Sequence, residues 1–187
     1  MQAAIAYAFG ADKALADLKQ TVELAGETVK KADSFAKTFV QEHDFKKMIY
    51  LGMGSYFGLA QEACLKLKEM SYVWTESFGT LEFRHGPKSI IEKGSLICLF
   101  LSEQAREHEI KVAKEMQAYG ATVWVITARK GDDIDFADAV FETGGENLSD
   151  EARAVLNLPA VQYFGYYTAL KLDVDPDNPR NLTQVVI

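Results

Sequence analysis

The sequence is poor in cysteine and proline, and it has no long apolar run. Two of its 187 residues are cysteines and four are prolines. Cys64 and Cys98 stand in apolar segments without the spacing of metal ligands, so we expect two buried thiols in a reducing cytoplasm and no metal site. No run approaches the ~18 consecutive apolar residues of a membrane span. The opening residues MQAAIAYAFG lack the basic flank and cleavage site of a signal peptide.

Positive charge is also in deficit. Twenty Lys and Arg residues stand against twenty-seven Asp and Glu, a net charge of −7. A chain this acidic has no field that draws in nucleic acid or an anionic membrane, although it is compatible with a local pocket for a small anion. Apolar residues make up 48% of the chain and charged residues 25%, the mix of a globular protein. We expect a soluble, single-domain protein that binds neither nucleic acid nor membranes.

Apolar segments alternate with amphipathic segments along most of the chain. The patterns predict strands over 47–51, 95–101, 121–127 and 139–141, and helices over 57–70, 106–119 and 159–172. The strands are apolar throughout, which is typical of strands covered on both faces. Strands that alternate with helices form right-handed βαβ units. We therefore predict an α/β fold, a three-layer α-β-α sandwich with a parallel, flavodoxin-like sheet.

The two ends of the chain differ from this core. Between 12 and 42 the pattern predicts one helix, or two that meet near Gly26, whose apolar stripe lies on the sheet rather than forming a coiled coil. The stripe consists of Leu15, Leu18, Val22, Ala25, Val29, Ala32, Ala36 and Phe39. The last residues contain the turn-rich run DPDNPRN. We divide the domain into a helical segment (1–45), an α/β core (46–172) and an extended tail (173–187).

Two sequence features could carry chemistry. Gly54 and Ser55 lie between the first predicted strand and its helix, where free amides and the helix N-terminus favour an anion such as phosphate, although such turns often serve only as tight turns. His85 precedes a Gly-Pro turn, which holds its imidazole at a loop edge where it suits proton transfer. The other histidines, His43 and His108, are predicted on polar helical surfaces without function.

The helix predicted over 57–70 carries Glu62, Lys66 and Glu69 at spacings of four and three. From spacing alone, a solvated ladder of ion pairs is the preferred interpretation. The alternative places these side chains at a ligand, with a carboxylate free to move a proton.

Several motifs are similar to those of one family. LKEMSY (67–72), EFRHGP (82–87), DVD (173–175) and NPRNL (178–182) resemble the sugar isomerase (SIS) domain family. The resemblance is to the second SIS half of glucosamine-6-phosphate synthases and fructosamine-6-phosphate deglycases, and it runs from about residue 46 to the C-terminus. It implies an SIS fold and one half of a tandem pair.

The resemblance also implies roles. Glu69 would move a proton between carbons 1 and 2 of an (amino)ketose 6-phosphate, and His85 would open the sugar ring across a homodimer interface. Glu62 and Lys66 would position the open-chain sugar. No cofactor is implied, and the second SIS half would be supplied in cis or in trans.

Two departures from the family pattern bear on function. Gln184 stands where the synthases have a lysine that forms a Schiff base, and an amide cannot form that imine. The loop 101–107 has one serine and several acids, which makes a poor phosphate cradle. We therefore expect a phosphosugar isomerase, deaminase or deglycase domain. The alternatives are the isomerase half of a glutamine–fructose-6-phosphate aminotransferase and a non-catalytic sugar-phosphate sensor.

Overall fold

Five parallel strands form one sheet in the computed structural model of the chain, which describes residues 2–181. The strands are β1 (Lys47–Gly52), β2 (Thr75–Gly79), β3 (Ser95–Phe100), β4 (Thr122–Thr127) and β5 (Ala139–Glu142). Their order across the sheet is β2-β1-β3-β4-β5, and every neighbouring pair is parallel. This confirms the predicted α/β fold with a parallel sheet.

Helices cover both faces of the sheet. They are α1 (Gln2–Ala8), α2 (Asp12–Glu42), α3 (Ser55–Ser71), α4 (Thr80–Phe83), α5 (Arg106–Ala118), α6 (Asp150–Arg153) and α7 (Leu158–Lys171). Three short 3-10 turns complete the elements, at Pro87–Ile90, Asp132–Ile134 and Ala154–Asn157. The helices predicted over 57–70, 106–119 and 159–172 are confirmed as α3, α5 and α7.

Two apolar cores lie between the sheet and the helices, one on each face of the sheet. On one face α2, α3 and α7 pack around Trp124 and Phe100, which are fully buried. On the other face α5 packs with Phe83 of α4 against Ile97 and Val125. Both cysteine thiols are free and buried, as the sequence predicts. The sheet is therefore the middle layer of three.

Strand β2 and helix α4 are absent from the sequence prediction. The strand reads TESFG and lies at the edge of the sheet, where only Thr75 is buried. Its polar composition is typical of edge strands. The Thr75 hydroxyl donates to the carbonyl oxygen of Met48 at 2.6 Å and so ties β2 to β1.

The stripe predicted on α2 is correct only in its C-terminal half. The helix runs unbroken through Gly26, and Ala32, Ala36 and Phe39 are buried in the core. In the N-terminal half Val22 is 75% exposed and Val29 is 39% exposed.

Two threonines take the buried positions instead. Thr21 donates to the carbonyl oxygen of Ala152 at 3.1 Å, and Thr28 donates to that of Thr143 at 3.4 Å. The first half of α2 therefore covers the polar segment 143–152 rather than the sheet, and hydroxyl groups suit that surface better than valine does.

One buried polar group predicts a stabilising substitution. Among the described residues the Tyr50 hydroxyl has no hydrogen-bond partner, whereas the Tyr56 hydroxyl accepts a bond from Arg153 at 3.3 Å. Tyr50→Phe should raise the free energy of unfolding by about 1 kcal/mol, and the matched Tyr56→Phe should lower it by a similar amount. Urea denaturation measures both changes. A loss of stability in Tyr50→Phe would contradict this assignment of the core.

Candidate functional site

The direction of the connections across the sheet reverses between the neighbouring strands β1 and β3. Helix α3 connects β1 to β2 over one face, whereas α5 connects β3 to β4 over the other. Ligands of open parallel sheets bind at such a switch point, beyond the carboxyl ends of the strands. A cavity of about 170 Å³ lies there, and its lining includes Gly54, Ser55, Ser102, Gln104 and Asp150.

The glycine-rich turn at this edge has a steric explanation. A Cβ atom on Gly52 would lie 2.3 Å from the carbonyl oxygen of Tyr56, and Gly54 has a positive φ of 55°. The carboxylates of Asp150 and Glu151 line the same cavity. The steric requirement at Gly52 accounts for a tight turn, and an anion site at Gly54 and Ser55 stays a prediction.

The charged side chains of α3 form the ladder that spacing alone favours. Lys66 Nζ lies 2.7 Å from Glu69 Oε2 and 3.8 Å from Glu62 Oε1. The hydrogen bond that Lys66 donates to Glu69 raises the pKa of the lysine above its ordinary value. All three side chains are about one-third exposed, so a ligand can reach them.

The two ends of α3 serve different places. Ser55 begins the helix and Glu69 lies fourteen residues further on, about 21 Å along the axis. An open-chain hexose phosphate does not span that distance. Gly54 and Ser55 of one chain thus lie far from its Glu69, and their assignment to the substrate site stays a prediction.

His85 lies on the opposite face of the sheet from α3. It follows α4, whose Phe83 is buried in the core that α5 forms. Thr80 donates to Glu109 of α5 at 2.7 Å, and Arg84 pairs with Glu115 at 2.9 Å, so the whole segment is fixed to α5. The imidazole itself is exposed. Within the described residues no hydrogen bond joins His85 to Glu69, and one chain does not bring them together.

The other two histidines and the C-terminal tail lie as follows. His43 is not on a polar surface: it is half-buried at the end of α2 and stacks on Phe45 at 5.5 Å, a structural role. His108 is exposed on α5, as predicted. Gln184 lies outside the described residues. The tail before it is held near the end of α3, because the Arg180 backbone N–H donates to the Tyr72 hydroxyl at 2.8 Å.

Sequence reasoning missed three buried charged residues near the switch point. Glu109, Asp150 and Arg153 are each at most 6% exposed. Glu109 accepts hydrogen bonds from Thr80 and from the Ser102 backbone and hydroxyl, and its burial raises the pKa of the carboxyl group. Asp150 pairs with Arg153. Their spacing of three residues, after the helix cap Ser149, was the local signal for this pair.

Other classes of site find no support in residues 2–181. No group of three or more His, Cys, Asp and Glu side chains there is arranged to hold a metal ion. No helix in this part of the chain is both long and apolar enough to cross a membrane.

The sequence of the core matches a known family. The family model of the SIS domain matches residues 43–165, about two-thirds of the chain. The chain belongs to the SIS domain family. This confirms the resemblance that the LKEMSY and EFRHGP motifs indicate.

Several proteins similar to this SIS domain have names that refer to sugar phosphates. It is 31% identical to a glutamine–fructose-6-phosphate aminotransferase (isomerizing) of Sulfurisphaera tokodaii and 34% identical to that of Clostridium perfringens, over 92% and 93% of the chain. A structure from Clostridium novyi, described as a tagatose-6-phosphate ketose/aldose isomerase, is 31% identical over 95% of the chain with a TM-score of 0.81. A glucosamine-6-phosphate deaminase of Thermotoga maritima is 29% identical over 89%, with a TM-score of 0.70.

The chain is shorter than these relatives. It spans 28% of the length of either aminotransferase. It spans 48% of the C. novyi protein and of the T. maritima protein.

Glu109 predicts a pH dependence of stability. Burial raises the pKa of Glu109 in the folded chain above that of an unfolded glutamate. At pH values between these two pKa values, the folded chain therefore binds more protons than the unfolded chain. The stabilisation is present below the ordinary pKa and is lost as pH rises through the raised value. Urea titrations from about pH 4 to pH 7 should therefore show Glu109→Gln gaining stability relative to the wild type as pH rises.

Glu107→Gln on the same helix is the matched control. The hydrogen bond from Lys111 lowers the pKa of Glu107, so its removal should have an effect of opposite sign. Parallel pH profiles for Glu109→Gln and the wild type would contradict a raised pKa at Glu109.

Proposed function

We propose that this SIS domain is the half of a phosphosugar isomerase or deaminase that supplies the catalytic base. The substrate is an (amino)ketose 6-phosphate, and Glu69 moves a proton between its carbons 1 and 2. The observation that carries the proposal is the ladder on α3: a partly exposed carboxylate held 2.7 Å from an ammonium group. The relatives whose names include isomerase and deaminase support the same substrate class.

The ladder suits the chemistry of an enediolate. Glu69 takes the proton from one carbon as a carboxylate. The electron pair of the broken C–H bond forms a double bond between carbons 1 and 2, and the π pair of the carbonyl group moves onto its oxygen. Lys66 stabilises the negative charge that develops on that oxygen. Glu69 then returns the proton to the neighbouring carbon, while the hydroxyl proton on the oxygen of the first carbon moves to the oxygen that carries the negative charge. This leaves the carbonyl group on the first carbon and completes the isomerisation. Glu62 orients Lys66 from the preceding turn.

His85 acts at the ring oxygen of a cyclic substrate. Because it lies on the opposite face of the sheet from Glu69, we propose that each site takes its histidine from the second chain of a homodimer. The phosphate group is held by the second SIS half, in cis or in trans. Gln184 offers no amine for a Schiff base, so the aminotransferase role is the weaker candidate.

Solvent exchange tests the base. In deuterated water the complete protein should incorporate deuterium at carbon 1 or 2 of fructose 6-phosphate, measured by NMR. Glu69→Gln should slow exchange by roughly 10²-fold or more. Glu107→Gln removes an exposed ion pair from α5 and should exchange at the wild-type rate. Equal exchange in Glu69→Gln and the wild type would remove Glu69 from this role, and binding without exchange in the wild type would favour a sensor.

Mixed dimers test the shared site. Glu69→Gln and His85→Ala homodimers should each be nearly inactive on cyclic substrate. A mixed dimer has one site with both defects and one with neither, so co-refolding equal amounts should restore about a quarter of wild-type activity. The control mixes Glu69→Gln with Glu107→Gln, whose sites are intact. It measures how much the activity falls when inactive chains are mixed with active ones. Failure of the first mixture to regain activity would contradict the exchange of His85 between chains.

A further inference from the structure

The loop after β3 has the geometry of an anion cradle. Four successive backbone amides, from residues 102 to 105, all donate to oxygen atoms. The Ser102 amide donates to the Glu109 carboxylate at 2.9 Å, and the Ala105 amide donates to the Ser102 hydroxyl at 3.1 Å. Two of the four, the amides of Glu103 and Gln104, converge on the same carboxylate, that of Asp150. Successive amides that converge on one acceptor form a concave binding site for anions, as in phosphate loops. The loop also lies at the switch point, where phosphorylated ligands of open sheets bind.

A side chain of the protein occupies the centre of this cradle. The Glu103 amide donates to both carboxylate oxygens of Asp150 at 3.1 Å, and the Gln104 amide donates to one of them at 3.3 Å. Asp150 reaches the loop from α6, forty-seven residues away in sequence from Glu103. Its side chain is 5% exposed, so solvent does not compete for these bonds.

A buried cation completes the site. Arg153 Nη2 donates to the Asp150 carboxylate, and its side chain is only 1% exposed. The guanidinium is held from behind by the carbonyl oxygens of Gly145 and Leu148, both at 3.1 Å. Two amides and a fixed guanidinium are the donors that proteins use to bind phosphate.

We propose that Asp150 is a built-in substitute for phosphate and determines the specificity of this SIS domain. Its carboxylate fills an otherwise complete anion site, and so excludes the phosphate of a sugar from the switch point of this chain. The substrate phosphate must therefore bind elsewhere. This inference does not rest on Glu69 acting as the base, because the two sites lie near opposite ends of α3.

Removing the carboxylate should create a phosphate site. Asp150→Ala vacates the cradle next to the 170 Å³ cavity that Asp150 lines, which leaves room for the larger anion. We expect inorganic phosphate to bind this variant roughly tenfold or more tightly than the wild type. Titration by NMR should shift the amide resonances of Glu103 and Gln104 in the variant and leave them unmoved in the wild type.

Two variants separate occupancy from charge. Glu151 lines the same cavity, and Glu151→Ala removes the same charge without freeing an amide, so it should bind phosphate no better than the wild type. Asp150→Asn keeps the cradle filled by a neutral side chain and should also fail to bind. Equal phosphate affinity in Asp150→Ala and Glu151→Ala would overturn the proposal, as would phosphate shifting the wild-type loop amides.

Stability provides a second readout, since Asp150→Ala leaves Arg153 without its buried partner. Phosphate should raise the melting temperature of Asp150→Ala, or restore its folding, relative to chloride at equal ionic strength. Asp150→Ser, which keeps an acceptor near the guanidinium, should respond in the same way. If phosphate neither binds nor stabilises either variant, the cradle is not an anion site and the proposal fails.

Discussion

The position of β1 between β2 and β3 determines on which face of the sheet Glu69 and His85 lie. Because the chain leaves β1 in one direction across the sheet and continues from β3 in the other, its crossing helices cover opposite faces. Glu69 follows α3 onto one face, and His85 follows β2 onto the other. The two side chains that the proposed reaction needs are thus separated by the sheet itself. This separation is the reason for proposing that a site takes Glu69 and His85 from two copies of the chain.

The charged side chains at the two ends of α3 differ in their exposure to solvent. On α3 the ladder is partly exposed, and exposed ion pairs of this kind contribute little to stability, about 0–1 kcal/mol. Such side chains can exchange one partner for another at small cost, which suits a site that binds substrate. At the switch point Glu109, Asp150 and Arg153 are buried, and their desolvation is offset only because each has several hydrogen-bond partners. Their hydrogen bonds hold the loop after β3 in place.

The sequence predicts what depends on local pattern and misses what depends on long-range pairing. Strands β1, β3 and β4 are apolar on both faces, and α3, α5 and α7 have helical periodicity, so all six are recognisable. The edge strand β2 is polar and short, and its partner Met48 is 27 residues away. Thr21 and Thr28 displace Val22 and Val29 from the buried side of α2 because of carbonyl oxygens more than a hundred residues distant. No periodicity encodes such contacts.

The same limit applies to the site. The LKEMSY and EFRHGP motifs identify Glu69 and His85, but spacing does not reveal that they lie on opposite faces. The most direct measurement is a structure of the complete protein with an acyclic hydroxamate analogue of a hexose 6-phosphate. We expect the analogue to contact Glu69 and Lys66 of one chain and His85 of the other, with its phosphate away from the loop after β3. An analogue bound at that loop, or one that contacts Glu69 and His85 of the same chain, would contradict the shared site.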